Sequence, residues 1–326
     1  MFIKAIPVLL WLAAFSMLGW ILSKLPLAAI TQSISALSPR QWLAWLGLNM
    51  AIILLAALRW RVLTGMLKLP VSLGELLLIR QAGQAVSFIT PGPQFGGEPL
   101  QIFWLWRRGR LPIHSALLAL GLDRFYELWV NFSMLLLGVL LLQISSAAAV
   151  LNWQKFAGIL LLILLALSLF GWLILQRPER LAEWFTRVTE RWRQHPRLKD
   201  LDTHRQRFSR DLKRVLTEQK PALVIAFLLS LCGWVGLIAE LWLLLSFFDL
   251  ALDLSAFLLI LVAMRLAFLL PLPGGIGPLE ASLFWAFQFL SLPPAAAMGL
   301  IALMRLRDVV VLLVGMGCLR VLQRRK

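Results

Sequence analysis

Two glutamates each follow a run of helix-breaking residues. One run is Thr90-Pro91-Gly92-Pro93-Gln94-Phe95-Gly96-Gly97-Glu98; the other is Pro271-Leu272-Pro273-Gly274-Gly275-Ile276-Gly277-Pro278-Leu279-Glu280. In both, the glutamate stands seven residues after the proline that begins the Pro-Gly pair. Proline removes a backbone donor and fixes φ, and glycine adopts angles that other residues avoid. A carboxylate beside such a break can cap free N–H groups, or take up a proton once desolvated. Exposed helix N-termini bind anions by geometry. Arg80 and Arg265 precede the two breaks, and a guanidinium matches a phosphate bidentately. This chemistry points to an anionic group, such as a lipid phosphate, held between two helix tips. Arg265 has a second reading, as the ion-pair partner of Glu280.

Each break is followed by an arginine and an acid three residues apart: Arg124 and Glu127, then Arg305 and Asp308. Such i,i+3 pairs share one helix face. They either bind substrate or neutralise each other and cement a bundle, and both readings stand. Arg80, Glu98, Asp123, Arg124, Glu127, Glu240, Arg265, Glu280, Arg305, Arg307 and Asp308 all fall within or beside long apolar segments. At the centre of a membrane helix each charge costs roughly 2.5–3.5 kcal/mol, so so many of them suggest function. The sequence has no Ser-His-Asp set, no metal-ligand spacing and no nucleotide loop around Gly274-Gly275-Ile276-Gly277. No metal, cofactor or enzymatic activity is therefore expected. The main enzymatic rival is an embedded lipid transferase with Glu98 or Glu280 as general base.

The elements that must position these residues are membrane helices. The 326 residues are 60% hydrophobic and 15% charged, with a mean hydropathy of +0.82, more apolar surface than a soluble domain can hide. The net charge of +16 sits mostly in short segments between apolar runs. That is the positive-inside pattern, and it removes nucleic acid from the expected partners. Fifteen tryptophans suit interfacial anchoring as well as core packing. Cys232 and Cys318 lie in apolar stretches and read as buried small hydrophobes, and the three histidines fall in expected loops.

Spans are expected at about 5–22, 42–58, 113–144, 156–175, 222–248 and 295–319. Arg59-Trp60-Arg61 marks a cytoplasmic end, and both termini are expected in the cytoplasm. The arms around each break, about 73–106 and 255–290, are too short to cross and suggest re-entrant hairpins. Residues 177–220 hold 13 basic and 7 acidic residues. Their apolar residues recur at helical spacing, as in amphipathic helices lying on the membrane surface.

At an offset of about 182 residues the two halves match in proline, glycines, glutamate and Arg-x-x-acid. Residues 1–150 and 151–326 then read as two membrane repeats of one order: span, span, broken hairpin, span. Three spans per half make the second repeat inverted, as in transporters whose discontinuous helices meet near mid-membrane. The fold class expected is all-α and polytopic, with six full spans and two oppositely oriented hairpins. Glu98 and Glu280 should both face an interior polar cavity between the tips. The helix-break positions that matter are Pro91, Gly92, Gly96, Gly97, Pro273, Gly274, Gly275 and Gly277.

The stretch Leu270 to Glu280, the earlier break from Pro91 to Glu98 and the basic exit at Arg107-Arg108 resemble the lysylphosphatidylglycerol synthase transmembrane family. The resemblance covers nearly the whole chain. It implies a flippase-like protein of the bacterial inner membrane that moves lipids between leaflets, aminoacylated phosphatidylglycerol among them, with relatives linked to hopanoid or polyprenyl lipids. Pro93-Gln94-Phe95 departs from the glycine-rich form of the second motif. The chain carries no counterpart of the full synthase's soluble aminoacyl-transfer domain, so that activity is not expected. The rival reading from another class is a non-transporting membrane partner of a lipid-modifying or glycosyltransferase enzyme.

Overall fold

A computed structural model describes residues 37–69, 71–90, 96–109, 113–144, 153–176, 210–215, 217–250, 252–270 and 272–324, with Ser16 and Ser35 alone before them. The expected first span, the first break from Pro91 to Phe95 and most of segment 177–220 lie outside the described residues. All regular structure among the described residues is helical. In chain order the helices are α1 (Pro39–Met66), α2 (Leu73–Ile89), α3 (Glu98–Gly109), α4 (Ile113–Ile144), α5 (Trp153–Gln176), α6 (Lys220–Ser246), α7 (Leu254–Ala267), α8 (Pro278–Phe289) and α9 (Pro294–Arg324), with a 3-10 turn at Pro273–Gly275.

The helix starts follow from local chemistry. Ser38 and Ser72 open α1 and α2, each in a reciprocal capping box, with Gln41 and Glu75 respectively. Asp253 caps α7 by accepting from the Ala256 N–H at 2.9 Å. Four helices, α1, α4, α5 and α6, are long and apolar enough to cross a membrane. The 31-residue α9 is long enough too but carries Arg305, Arg307 and Asp308 near its middle, and it is not among the four.

Helices α1 and α6 pack along each other and run antiparallel. Trp45, early in α1, shares a core with Leu241 and Leu245, late in α6. Leu63 and Met66, late in α1, meet Ala226, early in α6. Arms α2 and α3 share a core with Trp60 of α1 and with the second half of α9. Arms α7 and α8 share theirs with Trp45 and the first half of α9. Trp45 and Trp60 are ~22 Å apart along the helix, so the two hairpins serve opposite ends of α1. In addition, α2 packs on α9, and α7 on α4. The α2–α9 approach is close because Gly315 has no side chain: a Cβ there would lie 2.4 Å from the Gln81 carbonyl oxygen.

Two expectations are corrected here. Cys232 is exposed and not buried. On the outward face of a helix that crosses a membrane, a small apolar side chain needs no cover from protein. His114 is not in a loop. It is the second residue of α4, buried, with Nε2 3.5 Å from Oδ2 of Asp211. Leu212 and Val215, in the described part of the amphipathic segment, are buried. Val215 packs against Leu63, Met66 and Ala226 where α1 ends and α6 begins, and so does not present an apolar face to lipid.

Candidate functional site

The same side-chain arrangement occurs twice. In the second half Glu280 is the third residue of α8. Its Oε2 accepts from the Gly277 N–H at 2.7 Å and its Oε1 accepts from Arg305 Nε at 2.7 Å. Arg305 also donates to Asp308 at 2.8 Å and to the carbonyls of Gly274 and Gly275 at 3.0 and 3.2 Å. One guanidinium, 1% exposed, thus holds a carboxylate at the tip, the turn's backbone and an acid one helical turn on. In the first half Glu98, the first residue of α3, accepts from the Gly96 N–H at 2.6 Å. Its Oε1 stands 3.1 Å from Arg124 Nε, an ion pair without hydrogen-bond alignment. Arg124 donates to Glu127 at 2.8 Å. A guanidinium reaching from a long helix suits this task because it offers several donors in a fixed fork.

Around these triads the charges join into two networks. In the first, Arg59 of α1 donates to Asp123 at 2.6 Å and to Ser230 at 3.3 Å. Arg80 reaches the other oxygen of Asp123 at 2.8 Å, and both arginines lie within 4 Å of Glu127. In the second, Arg307 bonds Glu240 at 2.8 Å and stands 3.6 Å from Asp308, while Trp45 Nε1 donates to Glu240 at 3.2 Å. Every one of these carboxylates has an arginine partner, as burial of a charge requires.

A cavity of about 400 Å³ opens between the networks, lined from α1, α2, α4, α6, α7, α9 and the second break. Arg59, Arg80, Arg124, Arg265 and Arg307 reach its wall, with Glu127, Glu240 and Asp308. Phe88, Gly274 and Gly275 line it as well. Its size is at the small end of the ~300–1,000 Å³ usual for ligand pockets, enough for a polar headgroup.

Of the expected site residues, Arg80, Arg124, Glu127, Arg265 and Asp308 line this cavity; Glu98, Glu280 and Arg305 do not. This corrects the expectation that both glutamates face it. Each is turned back onto its own helix start by a glycine N–H and held there by an arginine. The alternative pairing of Arg265 with Glu280 is also overturned: Glu280 pairs with Arg305, and Arg265 lies over the Trp234 ring, 4.7 Å from its centroid. Of the break residues, Gly96, Gly274, Gly275 and Gly277 have positive φ. Pro273 starts the 3-10 turn, and Pro91 and Gly92 lie outside the described residues. Gly97 is required for another reason: a Cβ there would sit 2.0 Å from the Gly83 carbonyl oxygen of the opposite arm.

The site expected from sequence leaves out Arg59, Asp123, Glu240, Arg307 and Trp234. A signal existed for two of them. An offset of 181 pairs Arg124 with Arg305 and Glu127 with Asp308, and it also pairs Arg59 with Glu240. Arg59 pairs with Asp123 of α4 and Glu240 with Arg307 of α9, so matched positions on α1 and α6 each carry an ion pair to the long helix of their half, with the sign exchanged.

The sequence profile of the lysylphosphatidylglycerol synthase TM region matches residues 5–315. The chain belongs to this family. A UPF0104 membrane protein of Methanothermobacter thermautotrophicus is 23% identical over 261 residues, covering 77% of this chain and 75% of the relative. No solved structure matches. This family member is thus a multi-pass membrane protein.

Proposed function

We propose that this protein is a lipid translocase of the inner membrane, passing a phosphate-bearing headgroup between leaflets while the acyl chains stay in the bilayer. The observation that carries this reading is the charged cavity bounded by equivalent parts of two halves. A bundle without a ligand has little reason to leave about 400 Å³ of arginine-lined space at membrane depth, where each charge is costly. The antiparallel α1 and α6 and the hairpins at opposite ends of α1 support an inverted repeat. In that topology α2–α3 and α7–α8 are re-entrant arms from opposite faces, and both chain ends are cytoplasmic. Alternating access would then rock one half against the other around the cavity.

The test is reconstitution. Purified protein in vesicles with one leaflet of fluorescently labelled phospholipid is expected to equilibrate the label, and empty vesicles are not. No redistribution of any phosphate-bearing lipid, anionic, zwitterionic or polyprenyl, would sink the reading. The density of internal ion pairs favours one rival, a non-transporting membrane partner of a lipid-modifying enzyme. For that rival the same vesicles stay asymmetric, and the protein co-purifies with an enzyme.

A further inference from the structure

Three carboxamides reach the cavity wall, Gln81 and Gln84 from α2 and Asn131 from α4. All three are half-buried, and among the described residues their side chains enter no hydrogen bond. Gln81, Gln84 and Phe88 follow the i, i+3, i+7 spacing of one helix face. Asn131 stands one turn beyond Glu127, on the face that α4 turns to the cavity. The other uncharged polar side chains of the wall are already engaged. Asn49 donates to the Trp45 carbonyl, Ser87 accepts from the Gly97 N–H, and Ser230 accepts from Arg59 and donates to the Ala226 carbonyl.

The architecture does not demand amides at these places. At the 181-residue offset Gln81 corresponds to Val262 and Asn131 to Leu312, and both of those are buried in apolar cores. A polar side chain turned into a low-dielectric interior is costly unless it finds a partner. The type of group indicates the partner. An arginine only donates and an ionised carboxylate only accepts, whereas a carboxamide does both. A hydroxyl also does both, and a phosphodiester offers acceptors alone. The arginines of the wall therefore suit the phosphate, and the amides suit hydroxyl groups. Gln81 and Gln84, about one turn apart, can engage neighbouring hydroxyls of one headgroup.

We propose that Gln81, Gln84 and Asn131 form a hydroxyl-binding subsite, so that the headgroup taken up carries vicinal hydroxyls beyond its phosphate, on an open chain or on a ring. This rests on the reading of the cavity as a headgroup site. The probes are the dihexanoyl forms of phosphatidylglycerol, phosphatidylinositol and phosphatidylethanol. All carry a single negative charge on a phosphodiester, and the last has no headgroup hydroxyl. In thermal unfolding of the full chain in detergent, at least one polyol lipid is expected to stabilise at about tenfold lower concentration than phosphatidylethanol. The tighter of the two distinguishes an open-chain from a ring headgroup. Gln84→Leu combined with Asn131→Leu should remove this preference and leave the response to phosphatidylethanol unchanged. Phosphatidylethanol as effective as both polyol lipids overturns the inference. So does a preference that survives the double change, or no response of the wild type to any of the three. If the double variant does not fold, the wild-type comparison decides alone. Vesicles with long-chain labelled phosphatidylglycerol and phosphatidylethanol separate the two levels. A polyol preference in detergent without redistribution of either label keeps the inference and ends the translocation reading. Equal redistribution of both labels without a preference in detergent does the reverse.

Discussion

Phe88, near the end of α2, lies against Gly274 at the second break: a Cβ on Gly274 would stand 2.6 Å from Phe88 Cζ. The two interrupted regions, far apart in sequence, therefore meet, and they meet on the cavity wall. Gly274 is irreplaceable on two counts, its φ of 57° and the ring above it. Gly274→Ala should lower the unfolding temperature in detergent. Phe88→Ala in the same chain should restore part of the loss, with a coupling of about 1 kcal/mol. Strict additivity of the two changes would mean that the ring and the glycine do not interact.

Arg305 should be the most costly single truncation of the charged set. Arg305→Met removes the arginine partner of Glu280 and the donor to two buried carbonyls and leaves Asp308 with Arg307 alone, at 3.6 Å, for a loss of about 3–5 kcal/mol. Arg124→Met should cost less, because Arg124 is more open and Glu127 keeps two other arginines within 4 Å. Equal unfolding temperatures for the two variants would contradict the ranking.

The glutamates at the breaks act as caps here. Glu98→Gln and Glu280→Gln each keep an acceptor for the glycine N–H but lose the charge facing arginine. Stability should fall by about 1–2 kcal/mol per site, while lipid redistribution in vesicles persists. A folded double variant that moves no lipid would return both carboxylates to the mechanism.

The re-entrant reading makes a labelling prediction. With Cys232 and Cys318 changed to serine, single cysteines at Lys68 and Arg107 flank the first hairpin, and cysteines at Asp253 and Ser291 flank the second. An impermeant thiol reagent should reach the first two from one face of the membrane and the last two from the other. Reaction of Lys68→Cys and Arg107→Cys from opposite faces would make that hairpin a full crossing.

Much of this architecture was legible in the sequence because each cue is local. The span 113–144 coincides with α4, and the second break is where proline and paired glycines forbid a helix. Partner choice was not legible. Glu280 has two arginines within reach on paper, and only packing of α9 across the turn selects Arg305 over Arg265. Arg59 beside Trp60 and Arg61 looks like the basic end of a span. Counting charge cannot separate an arginine turned inward to Asp123 from one turned toward headgroups. The 181-residue offset could have flagged it, since it sets Arg59 against Glu240, but an exchange of sign hides that match from any comparison of like with like.

The six arginines and six carboxylates around the cavity have a consequence for energetics. A membrane potential does work of ~2.3 kcal/mol per elementary charge per 100 mV. It acts on net charge moved, and this set has none. Reorientation of the empty protein should therefore be nearly silent electrically, and any sensitivity to voltage must come from the charge of the cargo. On the translocase reading, a cargo without net charge would then move in a direction set by its own gradient, and a charged cargo would also follow the membrane potential.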